Sequence, residues 1–173
     1  IIVILTHEHF DHINGLNWLR ERFICEVFAN EVCSENVCFE SKNLSNNAEV
    51  IALFNANIRE RNVTVIPFVC HVDHTFQNQM KLKWNRHELV LLTTPGHTEG
   101  SICIILDNQY LFSGDTLLGI PTITRLPGGS RKKFLQITLP LLREVCGNEM
   151  KVYPGHGSFG LFGKMIEQYD SKG

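Results

Sequence analysis

The stretch Thr6-His7-Glu8-His9-Phe10-Asp11-His12 decides how the rest of the sequence is interpreted. It follows an uninterrupted apolar run, Ile1 to Leu5, and it places three imidazoles and an aspartate within six residues. A short β-branched run that ends in polar residues is typical of a buried strand leading into a functional loop. Imidazole and carboxylate ligands together suit zinc, iron or manganese. The stretch therefore predicts a metal site at the end of a strand, in preference to a polar loop with surface histidines.

Composition limits the remaining possibilities. The chain has 173 residues, is 43% hydrophobic and 20% charged, and predicts one domain spanning residues 1–173 with a substantial core. Its formal net charge of −2 provides no bulk attraction for nucleic acid or an acidic membrane surface. No apolar run approaches the roughly 20 residues that a membrane span needs. We therefore expect neither nucleic acid nor a membrane as a partner.

The six cysteines form no Cys-x-x-Cys pair and no regular framework. A chain of this size does not need disulfides, so we predict reduced thiols and a cytoplasmic location. Two weaker metal-site alternatives remain in the pattern. They are the pair Cys33 and Cys38, and the segment Cys70-His71-Val72-Asp73-His74, which a polar connection explains equally well.

Hydrophobic periodicity predicts helices and strands that alternate early, with hairpins in the middle of the chain. Predicted helices cover residues 14–22, 30–39, 50–60, 131–146 and 161–169. Predicted strands cover residues 1–5, 25–29, 63–69, 80–84, 88–94, 101–106, 110–113 and 151–153. Pro140 is expected to kink its helix, and His87 to be exposed in a turn. Helices that cover facing sheets predict a layered α/β architecture.

Three further candidate ligands each follow a glycine at the end of a predicted strand. They lie in Pro95-Gly96-His97, Ser113-Gly114-Asp115 and Pro154-Gly155-His156. Glycine allows backbone angles that other residues resist and lets the chain approach closely. One such residue alone is more often part of a turn, but three of them beside the opening cluster favour a shared metal site.

Together these motifs resemble the metallo-β-lactamase-fold hydrolase superfamily, and within it the glyoxalase II-like branch. The matching patterns are Thr-His-x-His-x-Asp-His, Thr-Pro-Gly-His-Thr-x-Gly-Ser, Ser-Gly-Asp-Thr and Tyr-Pro-Gly-His-Gly, in that order along nearly the whole chain. The resemblance implies a four-layer αββα sandwich with a two-metal site at the edge of its sheets. It also implies further strands before Ile1.

The resemblance assigns a role to each candidate ligand. His7, His9 and His97 would bind the first metal, and Asp11, His12 and His156 the second. Asp115 would bridge two divalent ions, for which zinc is the first expectation and iron or manganese the alternatives. Aspartate in place of cysteine at position 115 argues against a thiolate-using β-lactamase, and histidine at position 9 argues against the flavodiiron pattern.

Two divalent ions in such a site would hold a bridging hydroxide as the nucleophile, because metal binding lowers the pKa of water to about 7. Asp11 would also orient that hydroxide, so no serine or cysteine nucleophile is required. Arg131 and Lys132, at the start of a predicted helix, are candidates for binding an anionic group of the substrate, and a solvated basic turn is the alternative.

The leading prediction is a hydrolase of small thioesters, lactones or similar acyl compounds. Glyoxalase II proper carries a helical C-terminal domain that contacts glutathione, and the short sequence after Gly157 leaves glutathione specificity open. The main alternative is a mononuclear iron sulfur-dioxygenase of the same fold, which would use His7, His97 and Asp115. A nuclease and a non-catalytic metal-binding protein are less favoured, since no basic arm is present and no ligand is lost.

Overall fold

The computed structural model describes residues 1–48 and 65–170. Its smaller sheet has three parallel strands in the order β1-β2-β3, and its larger sheet has six strands in the order β4 to β9. The strands are β1 (Ile2–Ile4), β2 (Glu26–Asn30), β3 (His74–Phe76), β4 (Gln79–Trp84), β5 (His87–Thr93), β6 (Ile102–Leu106), β7 (Tyr110–Gly114), β8 (Lys151–Pro154) and β9 (Gly160–Leu161). In the larger sheet only β7 and β8 pair in parallel.

The described helices lie in two groups along the chain. They are α1 (Phe10–Ile13), α2 (Leu16–Arg22), α3 (Glu31–Asn36), α4 (Arg131–Lys133), α5 (Leu139–Val145) and α6 (Phe162–Ile166). A π-helical segment, Phe134–Thr138, joins α4 to α5 just before Pro140, which has no N–H to donate to the preceding turn. Short 3₁₀ turns cover Ser45–Asn47 and Glu167–Tyr169. None of the described helices combines the length and apolar character that crossing a membrane requires.

Three hydrophobic clusters separate four layers. The first, with Ile13, Leu16 and Val27, fills the space between α1–α3 and the smaller sheet. The second, which includes Leu91 and Ile104, lies between the two sheets. The third packs the larger sheet against α4–α6 and includes the next residues along the same strands, Leu92 and Ile105. Neighbouring residues face opposite cores because side chains alternate along a strand, and this arrangement is the predicted αββα sandwich.

The strand predicted over residues 63–69 is wrong in its described part. Residues 65–69, the described part of the strand predicted over 63–69, form no strand. The backbone groups of Phe68 pair with side chains instead. Asn43 Nδ2 donates to the Phe68 carbonyl, and Ser45 Oγ accepts from the Phe68 N–H. The strand comes later, at β3, where a polar connection is expected. The helix predicted over residues 50–60 lies outside the described part of the chain.

His87 differs from its predicted exposed position in a turn. It begins β5, and its Nδ1 lies 2.5 Å from Oδ2 of Asp107 in the neighbouring hairpin turn. Asp107 and Asn108 both adopt positive φ, of 52° and 55°, at the centre of a turn that the Gln109 N–H closes on the Leu106 carbonyl at 3.0 Å. That turn brings the carboxylate to His87 from 20 residues along the chain. The pairing leaves His87 only partly exposed.

Candidate metal centre

The loop after β1 is held at both ends by backbone hydrogen bonds. The Ile102 N–H of the larger sheet donates to the Thr6 carbonyl at 2.8 Å, which ties the start of the loop to the facing sheet. His9 has the extended conformation of a helix N-cap, and the next residue, Phe10, donates its N–H to the Asn43 carbonyl at 2.8 Å. The candidate ligands of this loop therefore stand on a fixed backbone.

His7, His9 and His97 form a buried trio in which one ligand atom of each lies within 4.8 Å of the others. His97 Nδ1 donates to the Ile123 carbonyl at 2.7 Å, so its Nε2 carries a free lone pair and faces His9 Nδ1 at 3.0 Å. His7 Nδ1 lies 3.2 Å from Thr6 Oγ1, and its buried Nε2 has no hydrogen-bond partner. Three imidazoles thus converge on one position.

A second and more exposed trio lies beside the first. His156 Nε2 is 3.2 Å from His12 Nε2 and 3.1 Å from Asp11 Oδ2, and His12 Nε2 is 3.7 Å from the same carboxylate oxygen. Asp11 is on the first turn of α1, while His156 follows the end of β8, 145 residues later. The fold therefore joins residues from the two halves of the chain.

Asp115 lies between the two trios. Its Oδ2 is 3.6 Å from both His97 Nε2 and His156 Nε2, and its Oδ1 is 3.5 Å from His12 Nε2. Asp115 Oδ1 is buried and has no hydrogen-bond partner among the described residues. A carboxylate in this position can contact a cation in either trio, as the sequence predicts for a bridging ligand.

Glycine at position 155 is required by the closeness of this packing. A Cβ there would overlap Asp115 Oδ1 and would lie 2.7 Å from His12 Cε1. Gly114, at the end of β7, has a φ of +49°, and a Cβ on it would lie 2.8 Å from Thr6 Cβ. The glycines that precede the ligands therefore allow the strand ends to approach the ligand loop.

The electrostatics of the cluster keep the buried trio and Asp115 in the ligating state. Burial lowers the pKa of His9 to about 3, and it also lowers the pKa values of His7 and His97, so these imidazoles are neutral. Burial alone would raise the pKa of Asp115, but the adjacent His12 ring and the other surrounding imidazoles outweigh burial and lower it. For His12 the balance is the reverse: burial lowers its pKa, and the two carboxylates raise it above the ordinary value.

The spacing of the donors fits divalent cations. Ligand atoms around a tetrahedral ion with bonds of 2.0–2.1 Å are separated by about 3.3 Å. The distances given above between ligand atoms run from 3.0 to 3.7 Å, and His7 lies within 4.8 Å of the other two members of its trio. Unpaired buried polar atoms are rare in folded proteins, yet three occur among the described ligands, on His7, His9 and Asp115. The residues present therefore suit a metal centre.

Glu8 supports this cluster in a way that its sequence does not reveal. As a spacer in the opening motif it is predicted to point away from the metals, and its carboxylate accepts hydrogen bonds from Asn36 Nδ2 and Thr98 Oγ1, both at 2.8 Å. Glu8 is 2% exposed, and Thr98 follows the ligand His97 directly. A buried acidic residue thus joins two ligand-bearing loops and α3.

The remaining candidates lie apart from the cluster. Arg131 and Lys132 are exposed on α4, where Ser130 caps the helix by accepting from the Lys133 N–H, and among the described residues neither forms an ion pair with a ligand. Their role in anion binding stays a prediction. Asp73 of the second alternative metal segment pairs with Arg20 at 2.5 Å. All six cysteines are free, and none belongs to a group of potential metal ligands in the described ranges.

Comparison with known proteins identifies the family. Residues 1–156 match the model of the metallo-beta-lactamase superfamily. Probable metallo-hydrolase MJ0888 of Methanocaldococcus jannaschii is 32% identical over 165 residues, which cover 92% of this chain and 70% of that protein. Hydroxyacylglutathione hydrolase of Bartonella henselae is 25% identical over 174 residues, covering 98% of this chain and 55% of the relative.

Among solved structures, TTHA1623 in a di-iron-bound form superposes with a TM-score of 0.69 at 26% identity, over 94% of this chain and 73% of that one. The layered sheets, the clustered histidines and aspartates and these matches agree with one another. The chain belongs to the metallo-β-lactamase superfamily of metal-dependent hydrolases.

Proposed function

We propose that this chain is a binuclear metal-dependent hydrolase that cleaves a thioester or a similar acyl bond of a small molecule. One observation carries the proposal: seven imidazole and carboxylate side chains from four strand-end loops converge, with ligand atoms within 4.8 Å of one another in each trio and Asp115 between the two trios. Similarity to a protein in a di-iron-bound form supports a two-metal centre, and similarity to a hydrolase of hydroxyacylglutathione supports an acyl–sulfur bond as the target.

His7, His9 and His97 would hold one ion, Asp11, His12 and His156 the other, and Asp115 both. When bound, two divalent ions supply electrophilic activation of the acyl carbonyl and a water molecule whose pKa is lowered to about 7. Zinc is the first expectation, since neutral imidazoles with aspartate are ordinary zinc ligands.

The side chains of this protein orient the attacking water and transfer its proton. The Asp11 side chain is 41% exposed while its Oδ2 stays 3.1 Å from His156 Nε2, so one face of the carboxylate is open to an attacking water. That carboxylate orients the water and accepts its proton. The water oxygen bonds to the acyl carbon, the carbon–sulfur bond breaks, and the proton passes to the thiolate, giving a carboxylic acid and a thiol.

The test combines metal analysis with a thioester assay. Zinc-loaded protein is expected to contain two zinc ions per chain and to hydrolyse acyl thioesters, and a chelator is expected to abolish this activity. His12→Ala is expected to lower kcat/KM by more than about a hundredfold, the upper loss seen for residues that only support a metal ligand. The matched control His74→Ala, at an exposed histidine of β3, should change it little.

Three results would contradict the proposal. Activity that survives chelation would exclude a metal-dependent reaction. Iron at one ion per chain, together with oxygen uptake, would favour the sulfur-dioxygenase alternative. Equal losses of kcat/KM for His12→Ala and His74→Ala would show that the cluster takes no part in the reaction.

A further inference from the structure

A groove of about 470 Å³ opens directly beside the candidate metal centre. His156, a member of the exposed trio, lines it, and the other side chains that line it are Leu118, Ile120, Ser158, Phe159 and Met165. The groove is within the size range of small-molecule sites. Because His156 belongs both to this groove and to the candidate metal centre, the groove is continuous with the place where the reaction is proposed to occur.

The groove is mainly apolar. Leu118 and Met165 are buried, whereas Ile120 and Phe159 stand 58% and 69% exposed at its sides. No lysine, arginine, aspartate or glutamate is among the described residues that line it. Large apolar side chains left in water next to a polar centre are typical of a ligand-binding surface.

The walls of the groove are held in place without a ligand. Gln168 Nε2 donates to the Leu118 carbonyl at 3.0 Å, and Tyr169 Oη accepts from the Thr122 N–H at 2.9 Å. On the opposite side the Phe159 ring stacks on Tyr153, with ring centroids 5.9 Å apart. A preformed site has less ordering entropy to lose when its ligand binds.

We propose that this groove binds the hydrocarbon chain of the acyl group, with the scissile carbonyl placed at His156. The inference rests on the proposed hydrolase function and names its substrate class: linear, apolar acyl thioesters of medium length. A thiol portion rich in amides or charges would find only the Ser158 hydroxyl and no charged side chain on these mainly apolar walls, whereas buried polar groups need hydrogen bonds. The hydrocarbon is the part of such a substrate that fits.

The decisive experiment uses two thioester series with zinc-loaded protein. The first joins acetyl, butyryl, hexanoyl and octanoyl groups to one thiol, N-acetylcysteamine. The second joins acetyl to thiols of increasing chain length. We expect kcat/KM to rise about two- to fourfold per methylene in the acyl series, from the usual gain on burying a methylene, and to change little in the thiol series.

Two variants locate the effect. Phe159→Ala is expected to lower the octanoyl-to-acetyl ratio of kcat/KM by about tenfold, which corresponds to roughly half of a buried phenylalanine. Phe39→Ala is the matched control, because Phe39 is also a half-exposed phenylalanine (53%) and lies outside the groove. Calorimetric titration of the metal-free protein with octanoate gives a readout independent of turnover, and Phe159→Ala should weaken that binding about tenfold.

The outcomes separate this inference from the proposed function. Hydrolysis with a flat acyl series, or a length preference that follows the thiol, would overturn the groove assignment and leave the hydrolase intact. A complete lack of thioester hydrolysis would refute the proposed hydrolase function. The octanoate titration would then test on its own whether the groove binds an acyl chain. Equal effects of Phe159→Ala and Phe39→Ala would also refute the assignment.

Discussion

Replacing Glu8 by alanine is expected to destabilise the metal-free protein by about 3 kcal/mol and to weaken zinc binding. The carboxylate is 2% exposed and accepts two hydrogen bonds of 2.8 Å, from Asn36 and Thr98. Those two donors belong to α3 and to the loop that carries His97. Alanine would leave the buried Thr98 hydroxyl and the partly buried Asn36 amide without their acceptor.

The magnitude follows from two opposing contributions. A hydrogen bond to a charged group contributes about 1.5–3 kcal/mol, so losing two of them costs roughly 3–6 kcal/mol. Removing a buried carboxylate also relieves a desolvation cost, and burial of Glu8 is strong enough to raise its pKa. We expect a net loss of about 3 kcal/mol, which for a chain of this size lowers Tm by roughly 6–12 °C.

Thermal unfolding and zinc competition are the assays. Glu8→Gln is the matched control, because it keeps the volume and one acceptor oxygen, and it should lose about 1 kcal/mol. A double-mutant cycle of Glu8→Ala with Thr98→Val should give a coupling energy above about 1 kcal/mol. Zinc affinity should fall about 10- to 100-fold in Glu8→Ala, since the carboxylate holds two ligand-bearing loops together.

Two results would refute this reasoning. A Tm for Glu8→Ala within about 2 °C of the unaltered protein would mean that the two hydrogen bonds do not stabilise the fold. A coupling energy near zero in the cycle would mean that Glu8 and Thr98 act independently, whatever their individual effects.

Further predictions concern the packing, the acid response and the thiols. Gly155→Ala should lower zinc affinity at least about tenfold, because its Cβ overlaps a ligand carboxylate, whereas Gly147→Ala, where nothing lies within 4 Å of the added Cβ, should leave affinity unchanged in the same competition assay. The hydrogen bond from His87 holds the pKa of Asp107 below its usual range. Its stabilising effect is complete above the ordinary carboxyl pKa of about 3.9 and is lost as pH falls through the lowered value, so the Tm difference between Asp107→Asn and the unaltered protein should shrink as pH falls below about 3.9; a constant difference would contradict it. Cys38→Ser should change neither zinc content nor kcat, and a loss of activity with metal still bound would show a thiol in the reaction.

The ligand positions could be predicted from sequence because each depends on local signals. A predicted strand ends, a glycine follows, and the next residue is His97, Asp115 or His156. The structure places all three beside the opening motif. Alternation within strands is equally local, and it separates Leu91 from Leu92 into different cores.

The failures share a different cause, which is a partner distant in sequence. Residues 65–69 read as a strand because they are apolar, yet side chains of Asn43 and Ser45 take the hydrogen bonds that a neighbouring strand would otherwise make. His87 pairs with a carboxylate 20 residues away, and Glu8 with a hydroxyl 90 residues away. Composition and periodicity carry no information on such pairings.

The same distinction explains why the reaction is easier to infer than the substrate. Metal ligands must be imidazoles or carboxylates, so their residue types are visible in the sequence. The proposed acyl groove needs only apolar side chains, and Leu118, Ile120 and Phe159 look like ordinary core residues until their exposure and their place in the groove with His156 are known. Its shape depends further on Gln168 and Tyr169, which hold one wall from the far end of the chain. Substitutions at these two supporting residues should therefore alter chain-length preference while leaving the metal ligands in place.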